Sequence, residues 1–251
     1  MNSIVVSMIV FVCVFGGALL GMCLRVALPE HHLSTASNDA VKVGMALVAT
    51  MCAIVLGLLV SSAKSSYDAQ STELTELSAK LVLLDRVLEH YGPDAKQMRE
   101  LLRTTAANAL DRLEAKIPVE NSRLEPQVTG AESIFDKIQE LSPKDEAKRS
   151  LQARASSIAF DLLQTRWLMF EQAATSISLS LLIVLIFWLT ALFVSFGLFA
   201  PMNATVITNY LIAAVSVSAA IFLIVEMYMP YSGLIHVSSA PLRAAIAHLG
   251  K

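Results

Sequence analysis

The sequence predicts an all-α integral membrane protein with four transmembrane helices and a cytoplasmic helical bundle between the second and third spans. Residues 172–225 contain no Asp, Glu, Lys or Arg, and 32 of the 40 charged residues lie between Lys64 and Phe170. A hydrocarbon core about 30 Å thick needs about 20 apolar residues per helix, so the uncharged stretch is long enough for two spans. The charged segment between the hairpins belongs in water.

Residues 1–63 are predicted to form the first transmembrane hairpin. Residues 4–24 are an uncharged run that is longer than the apolar part of a signal peptide, and no basic region precedes it. We therefore expect a retained helix at about 4–28. The second span is expected at 43–63, between Lys42 and Lys64.

Residues 171–229 are predicted to form the second hairpin, with spans at about 173–199 and 205–229. Pro201 interrupts the apolar run between them. Residues 230–251 follow as a cytoplasmic tail with a short amphipathic helix, which Ser238 or Ser239 can cap. This tail is expected to pack on the bundle or to lie along the membrane surface.

The segment 64–170 is predicted to be a bundle of about four helices. Leucines spaced by three and four residues give its first helix an apolar seam: Leu74, Leu77, Leu81, Leu84 and Leu88. Gly92-Pro93 ends this helix, because proline lacks an amide hydrogen and disfavours helical geometry in the residue before it. Ser142 is expected to cap the last helix, with Pro143 in its first turn. Residues 118–130 are expected to form a loop.

Glu226 is the most informative single residue, because it follows 54 uncharged positions. A carboxylate at this depth must face a partner, water or the protein interior. It is interpreted as a pore or gate residue, as a partner for Arg25, or as an interfacial residue near the cytoplasmic end of the fourth span, beside an aromatic belt formed by Tyr228 and Tyr231. Arg25 either snorkels to the headgroups or lines an entrance. The topology places the two charges toward opposite membrane faces, which argues against a direct pair within one subunit.

Gly17 and Gly21 form a small-xxx-small pair in the first span. Such pairs let helix backbones approach closely in lipid, so both glycines are predicted to lie at a helix contact.

The sequence predicts neither an enzyme nor a cofactor or metal site. It has no Gly-rich phosphate loop, no His/Cys cluster and no nucleophile–base pair. His31 and His32 could join Glu30 and Asp39 in a weak metal site, but an exposed turn is favoured. The net charge of −2 gives no indication of nucleic-acid binding. The three cysteines are interpreted as small buried apolar residues: Cys13, Cys23 and Cys52.

The distribution of basic residues predicts the orientation. Arg25 and Lys42 lie on one side of the spans, and six basic residues near the span ends lie on the other: Lys64, Lys80, Arg154, Arg166, Arg243 and Lys251. The positive-inside rule therefore predicts that the bundle and both termini lie in the cytoplasm. The protein itself is expected in the cell inner (plasma) membrane.

Several segments together resemble the bestrophin-like domain family of bacterial and plant membrane proteins. The resemblance rests on 28–33, 37–45, 63–68, Leu84-Asp85-Arg86, Tyr91-Gly92-Pro93, Glu226 with 230–235, and 239–242. It covers nearly the whole chain and implies a likeness to bestrophins, which are oligomeric anion channels.

We expect a homo-oligomeric ion channel, a tetramer or pentamer, whose partners are copies of itself, membrane lipid and inorganic ions. The uncharged spans, the glycine pair and the heptad helices all favour assembly of identical subunits. The alternative is a non-conducting membrane scaffold or sensor whose helical bundle binds a partner. A secondary transporter is less favoured, because the spans show no clear pair of broken helices.

Overall fold

The computed structural model describes residues 2–29, 35–114, 131–174, 179–229 and 233–250. These residues form eight α-helices and no strand: α1 Ser3–Ala27, α2 Thr35–Tyr91, α3 Lys96–Glu114, α4 Ala131–Gln139, α5 Glu146–Ala174, α6 Leu179–Phe199, α7 Ala204–Met227 and α8 Ala240–His248. Helices α1, α2, α6 and α7 are long and apolar enough to cross a membrane. The prediction of an all-helical chain with four such helices is therefore confirmed.

The chain divides into two compact units. The membrane unit comprises Met1–Ser66 and Ser176–Tyr228, and the bundle unit comprises Tyr67–Thr175 and Met229–Lys251. Helix α2 contributes to both, because the predicted second span and the leucine seam belong to a single helix of 57 residues. The loop predicted at 118–130 lies outside the described residues.

Asparagine side chains start two helices of the membrane unit. The side-chain oxygen of Asn2 accepts a hydrogen bond from the Ile4 amide at 3.2 Å, and that of Asn203 accepts one from the Val206 amide at 2.9 Å. Each bond satisfies an amide at a helix start that has no partner within the helix. Pro201 lies just before the second of these caps, so the break between α6 and α7 is encoded locally.

Helices α1 and α6 cross with their backbones in direct contact. A Cβ added at Gly21 would overlap the carbonyl oxygen of Val194, and one at Gly197 would overlap that of Ala18. A Cβ at Gly17 would come within 3.2 Å of Thr190. The predicted glycine pair therefore faces a helix of its own chain, and it gives no argument for contact between copies.

The leucine seam of α2 packs into the core of the bundle unit. Leu74, Leu81, Leu84 and Leu88 are buried in its core, and Leu77 packs against it. This core also receives residues from four other helices: Leu102 of α3, Ile138 of α4, Ile158 and Leu162 of α5, and Leu242 of α8. The seam is therefore the contact face between α2 and helices of the same chain.

The ends of two bundle helices test the predicted stop and start signals. Helix α2 ends at Tyr91, and Gly92 follows with φ at 104°, in the left-handed region that favours glycine. The predicted start of α5 at Ser142 is wrong. The helix begins at Glu146, because the Asp145 carboxylate accepts the Lys148 amide at 2.7 Å and so occupies the cap position.

Gly21→Ala is expected to destabilise the membrane unit by about 1–3 kcal/mol, because the added methyl group forces α1 and α6 apart. Gly16→Ala is the matched control, since it lies on the same helix and a Cβ there has nothing within 4 Å. The midpoint of thermal unfolding in detergent should fall for Gly21→Ala alone. Equal midpoints for the two variants would contradict the close crossing.

Candidate functional site

A buried polar pair joins the beginning of α1 to the end of α7. The Ser3 hydroxyl donates a hydrogen bond to the Glu226 carboxylate. Ser3 is 5% exposed and Glu226 is 2% exposed, so both are shielded from the surroundings of the membrane unit. The pair therefore connects α1 to α7 through two residues that are 223 positions apart in the sequence.

The position of this pair explains how a carboxylate is accommodated there. Burying a carboxylate is costly unless hydrogen bonds replace its hydration. Ser3 is the first residue of α1, and the unpaired amides and dipole of a helix N-terminus favour a nearby negative charge. The start of α1 thus supplies both a hydroxyl donor and a favourable electrostatic field for Glu226.

A second hydrogen bond joins the end of α7 to α2. The Tyr228 hydroxyl donates to the Ser62 hydroxyl oxygen at 2.8 Å. Ser3, Ser62, Glu226 and Tyr228 together form a polar layer at one end of the membrane unit. This layer holds α1, α2 and α7 to one another by side-chain hydrogen bonds.

The structure separates Glu226 from Arg25. The partner of Glu226 is the first residue of α1, whereas Arg25 lies in the last turn of that helix and is exposed. Twenty-two residues at 1.5 Å per residue put about 33 Å between the two positions along the helix. Arg25 and Glu226 therefore do not form a pair within one chain.

The interpretation of Glu226 as a pore residue also finds no support in this geometry. Its side chain is turned toward α1 of its own chain and is almost completely covered. A ring of carboxylates around a symmetry axis requires side chains that leave the subunit surface. Glu226 does not meet that requirement.

Helix α2 has the least covered span of the four. Within the most apolar stretch of each helix, 11% of the α2 residues are buried, against 33% for α1, α6 and α7. One exposed stripe follows the outer side of α2 at steps of three and four residues: Val43, Leu47, Thr50, Ile54, Gly57 and Ser61. We call these six residues the α2 stripe.

The α2 stripe combines large apolar residues with residues that carry hydroxyl groups. It carries two hydroxyl groups, and a Cβ at Gly57 would meet nothing within 4 Å. The large exposed residues of the other three helices include these bulky apolar side chains, which suit lipid: Ile4, Met8 and Val12 of α1, Ile183 and Phe187 of α6, and Leu211 and Val215 of α7.

The bundle unit contains a buried ion pair that the sequence reading missed. The Arg99 guanidinium donates two hydrogen bonds to Asp85, Nε to Oδ1 at 2.7 Å and Nη2 to Oδ2 at 2.9 Å. The Gly250 amide donates to the same Oδ2 at 3.1 Å. Asp85 is 1% exposed and lies on the buried face of α2 with Leu81 and Leu88. A charged residue in register with an apolar seam was the signal that could have revealed it.

The Asp85 carboxylate is charged at neutral pH. Burial alone raises its pKa, but the hydrogen bonds from Arg99 and Gly250 and the charges of Arg99 and Arg86 outweigh burial, so the pKa lies below its ordinary value. A lowered folded-state pKa contributes stability above the unfolded-state pKa of about 4. That contribution is lost as the pH falls through the folded-state pKa.

No group of three or more His, Cys, Asp or Glu side chains that could hold a metal ion occurs among the described residues. Glu30, His31 and His32, the residues of the weak metal site considered from the sequence, lie outside the described ranges.

Replacing Ser3 by Ala is expected to destabilise the membrane unit by about 1–3 kcal/mol, because a buried carboxylate loses a hydrogen-bond donor. Glu226→Gln should cost less, since the amide oxygen still accepts from Ser3. Chemical unfolding in detergent micelles measures both effects. In a double-mutant cycle, Ser3→Ala and Glu226→Met, which removes the acceptor, should couple by about 1 kcal/mol or more. Additive effects would show that the bond contributes nothing to stability.

Comparison with known proteins yields one finding at the level of family. A search of curated proteins and a search of solved structures each gave no match. Residues 12–242 match the family described as the bestrophin-like domain. One segment that carried the sequence resemblance, 63–68, is joined to His236 in the bundle unit, where the Tyr67 hydroxyl donates to the His236 carbonyl at 3.2 Å. The match spans nearly the whole chain, and the chain therefore belongs to the bestrophin-like domain family.

Proposed function

We propose that the chain is the subunit of a homo-oligomeric ion channel of the bestrophin-like type, with four or five copies around a symmetry axis. Family membership supports a channel at the level of the family. The observation that carries the proposal is the α2 stripe, an uncovered face on the span with the least burial of the four.

A pore helix must satisfy two requirements. Its pore-facing side must lie on the surface of the single subunit, and it must offer groups that water and ions tolerate. The α2 stripe offers the Thr50 and Ser61 hydroxyls and the open backbone at Gly57. Its apolar members, Leu47 and Ile54, are also compatible with conduction, because hydrophobic constrictions gate pores by dewetting.

Several copies are required, because one helix face cannot enclose a water path. Identical subunits arranged by closed rotational symmetry place the same face of each subunit around the axis. Residues 43–63 carry no charge, so ion selection in this arrangement is left to groups at the ends of the span. Lys42 lies at one end and Lys64 at the other, and lysine rings at pore mouths favour anions.

The proposed location is the cell inner membrane, with the bundle unit and both termini in the cytoplasm. The support is the excess of basic residues near the span ends on the bundle side, since such residues are retained in the cytoplasm.

A non-conducting scaffold or sensor is the second candidate. Phe160 and Trp167 are 58% and 46% exposed on α5 of the bundle unit. They lie seven residues apart and so share one face of the helix. An exposed aromatic pair of this kind favours binding of a partner protein.

The channel proposal predicts current from the purified protein in a planar bilayer and a tetramer or pentamer by mass measurement in detergent. In a variant without native cysteines, Thr50→Cys or Gly57→Cys should make that current sensitive to a charged thiol reagent, because the added group blocks the path. Ile183→Cys, on the outer face of α6, is the control and should conduct unchanged after treatment. A monomer without current would leave the scaffold as the better proposal.

The orientation proposal predicts opposite labelling of two engineered cysteines in intact cells. Ser142→Cys, at an exposed bundle position, should resist a membrane-impermeant thiol reagent, whereas Met202→Cys, between α6 and α7, should react. Permeabilised cells provide the control, since both should then be labelled. The reverse pattern would place the bundle unit outside the cell.

A further inference from the structure

The segment after α7 returns to the bundle unit and is held there at both ends. At residue 236 its backbone carbonyl accepts the Tyr67 hydroxyl at 3.2 Å. At Gly250 its amide donates to the Asp85 carboxylate at 3.1 Å. Tyr67 and Asp85 both belong to α2, so residues 236–250 are fixed to two places on the same helix. We call residues 236–250 the strap.

Between its two ends the strap makes apolar and polar contacts. Val237, Leu242, Ala245 and Leu249 are buried on it. The Glu114 carboxylate, at the end of α3, accepts hydrogen bonds from the Ser239 hydroxyl at 3.2 Å and from the Arg243 guanidinium. The strap therefore joins α3 to α2.

The arrangement at Asp85 suits one further donor, which is the backbone amide of Gly250. Arg99 fixes the carboxylate through two hydrogen bonds and leaves room on Oδ2 for one further donor. Gly250 follows the end of α8 with φ at 81°, in the left-handed region. A glycine in this conformation turns the chain sharply after a helix and presents its amide hydrogen. The site thus recognises the turn that ends α8.

The strap depends on docking for its own order. Helix α8 has nine residues, and isolated helices shorter than about 12–15 residues are marginal in water. The core formed by α2, α3, α4 and α5 includes Leu84, Leu88, Ile138 and Ile158, which do not belong to the strap. Loss of the strap is therefore expected as a local opening that leaves most of this core buried.

We propose that Asp85, oriented by Arg99, is a binding site for the chain's own C-terminal segment, and that this segment acts as a separable strap across α2 and α3. The occupant is the strap itself, with the Gly250 amide as the recognised group. Its release uncovers a buried carboxylate–guanidinium pair next to the apolar surface that Leu242 and Leu249 had covered. This inference concerns the bundle unit alone and holds whether or not the protein conducts ions.

Amide hydrogen exchange on the full-length protein in detergent micelles tests the proposal. Asp85→Asn keeps the shape of the side chain and removes the charge that Arg99 and Gly250 require. Exchange of the amides in 242–250 should become at least tenfold faster, while residues 155–162 of α5 keep their rates. Glu89→Gln is the matched control, because Glu89 lies on the same helix, is half-exposed and pairs with Arg86. It should change neither region.

Gly250→Ala tests the donor side of the hydrogen bond between Gly250 and Asp85 and leaves both residues of the Asp85–Arg99 pair unchanged. The left-handed φ is strained for alanine, so the same local acceleration in 242–250 is expected. If Asp85→Asn fails to fold, this variant decides the question alone. The proposal is overturned if Gly250→Ala leaves the exchange of the strap unchanged. It is equally overturned if Asp85→Asn accelerates α5 as much as the strap, because Asp85 would then serve the whole core.

Discussion

The backbone contact between α1 and α6 is the constraint on which the arrangement of the membrane unit depends. Gly21 and Gly197 allow each helix to reach a carbonyl group of the other, and no larger residue fits at either crossing point. Helix α1 also packs on α7, so three of the four spans contact one another through α1. Helix α2 has the least burial of the four, and its uncovered face is the surface on which the proposed symmetric assembly rests.

Two buried carboxylates serve similar purposes in the two units. Glu226 accepts a hydrogen bond from Ser3, and Asp85 accepts hydrogen bonds from Arg99 and Gly250. In each case one donor comes from a segment distant in sequence, Ser3 for Glu226 and Gly250 for Asp85, so the carboxylate fixes one particular arrangement of the chain. An apolar residue of similar size would be easier to bury but would not distinguish the correct partner from another apolar surface.

The sequence predicted features that depend on neighbouring residues and missed those that depend on distant ones. The four apolar helices follow from uncharged runs, and the end of α2 follows from Gly92-Pro93. The partner of Glu226 could not be predicted, because nothing local to residue 226 points to Ser3. The helix that the glycine pair contacts could not be predicted either, since a small-xxx-small pair serves contacts within and between chains alike. Asp145 caps α5 in place of Ser142. The sequence did not distinguish the two, because both side chains can accept a hydrogen bond from a backbone amide.

The bond between Ser3 and Glu226 has a consequence for the order of biosynthesis. Translation produces Ser3 before Glu226, with α2, α6 and most of α7 made between them, so α1 enters the membrane before its partner exists. The hydroxyl must be satisfied by water or by its own backbone until α7 arrives. Closure of this bond therefore marks the completion of the membrane unit, and a nascent chain that stops short of residue 226 has no group with which to make it.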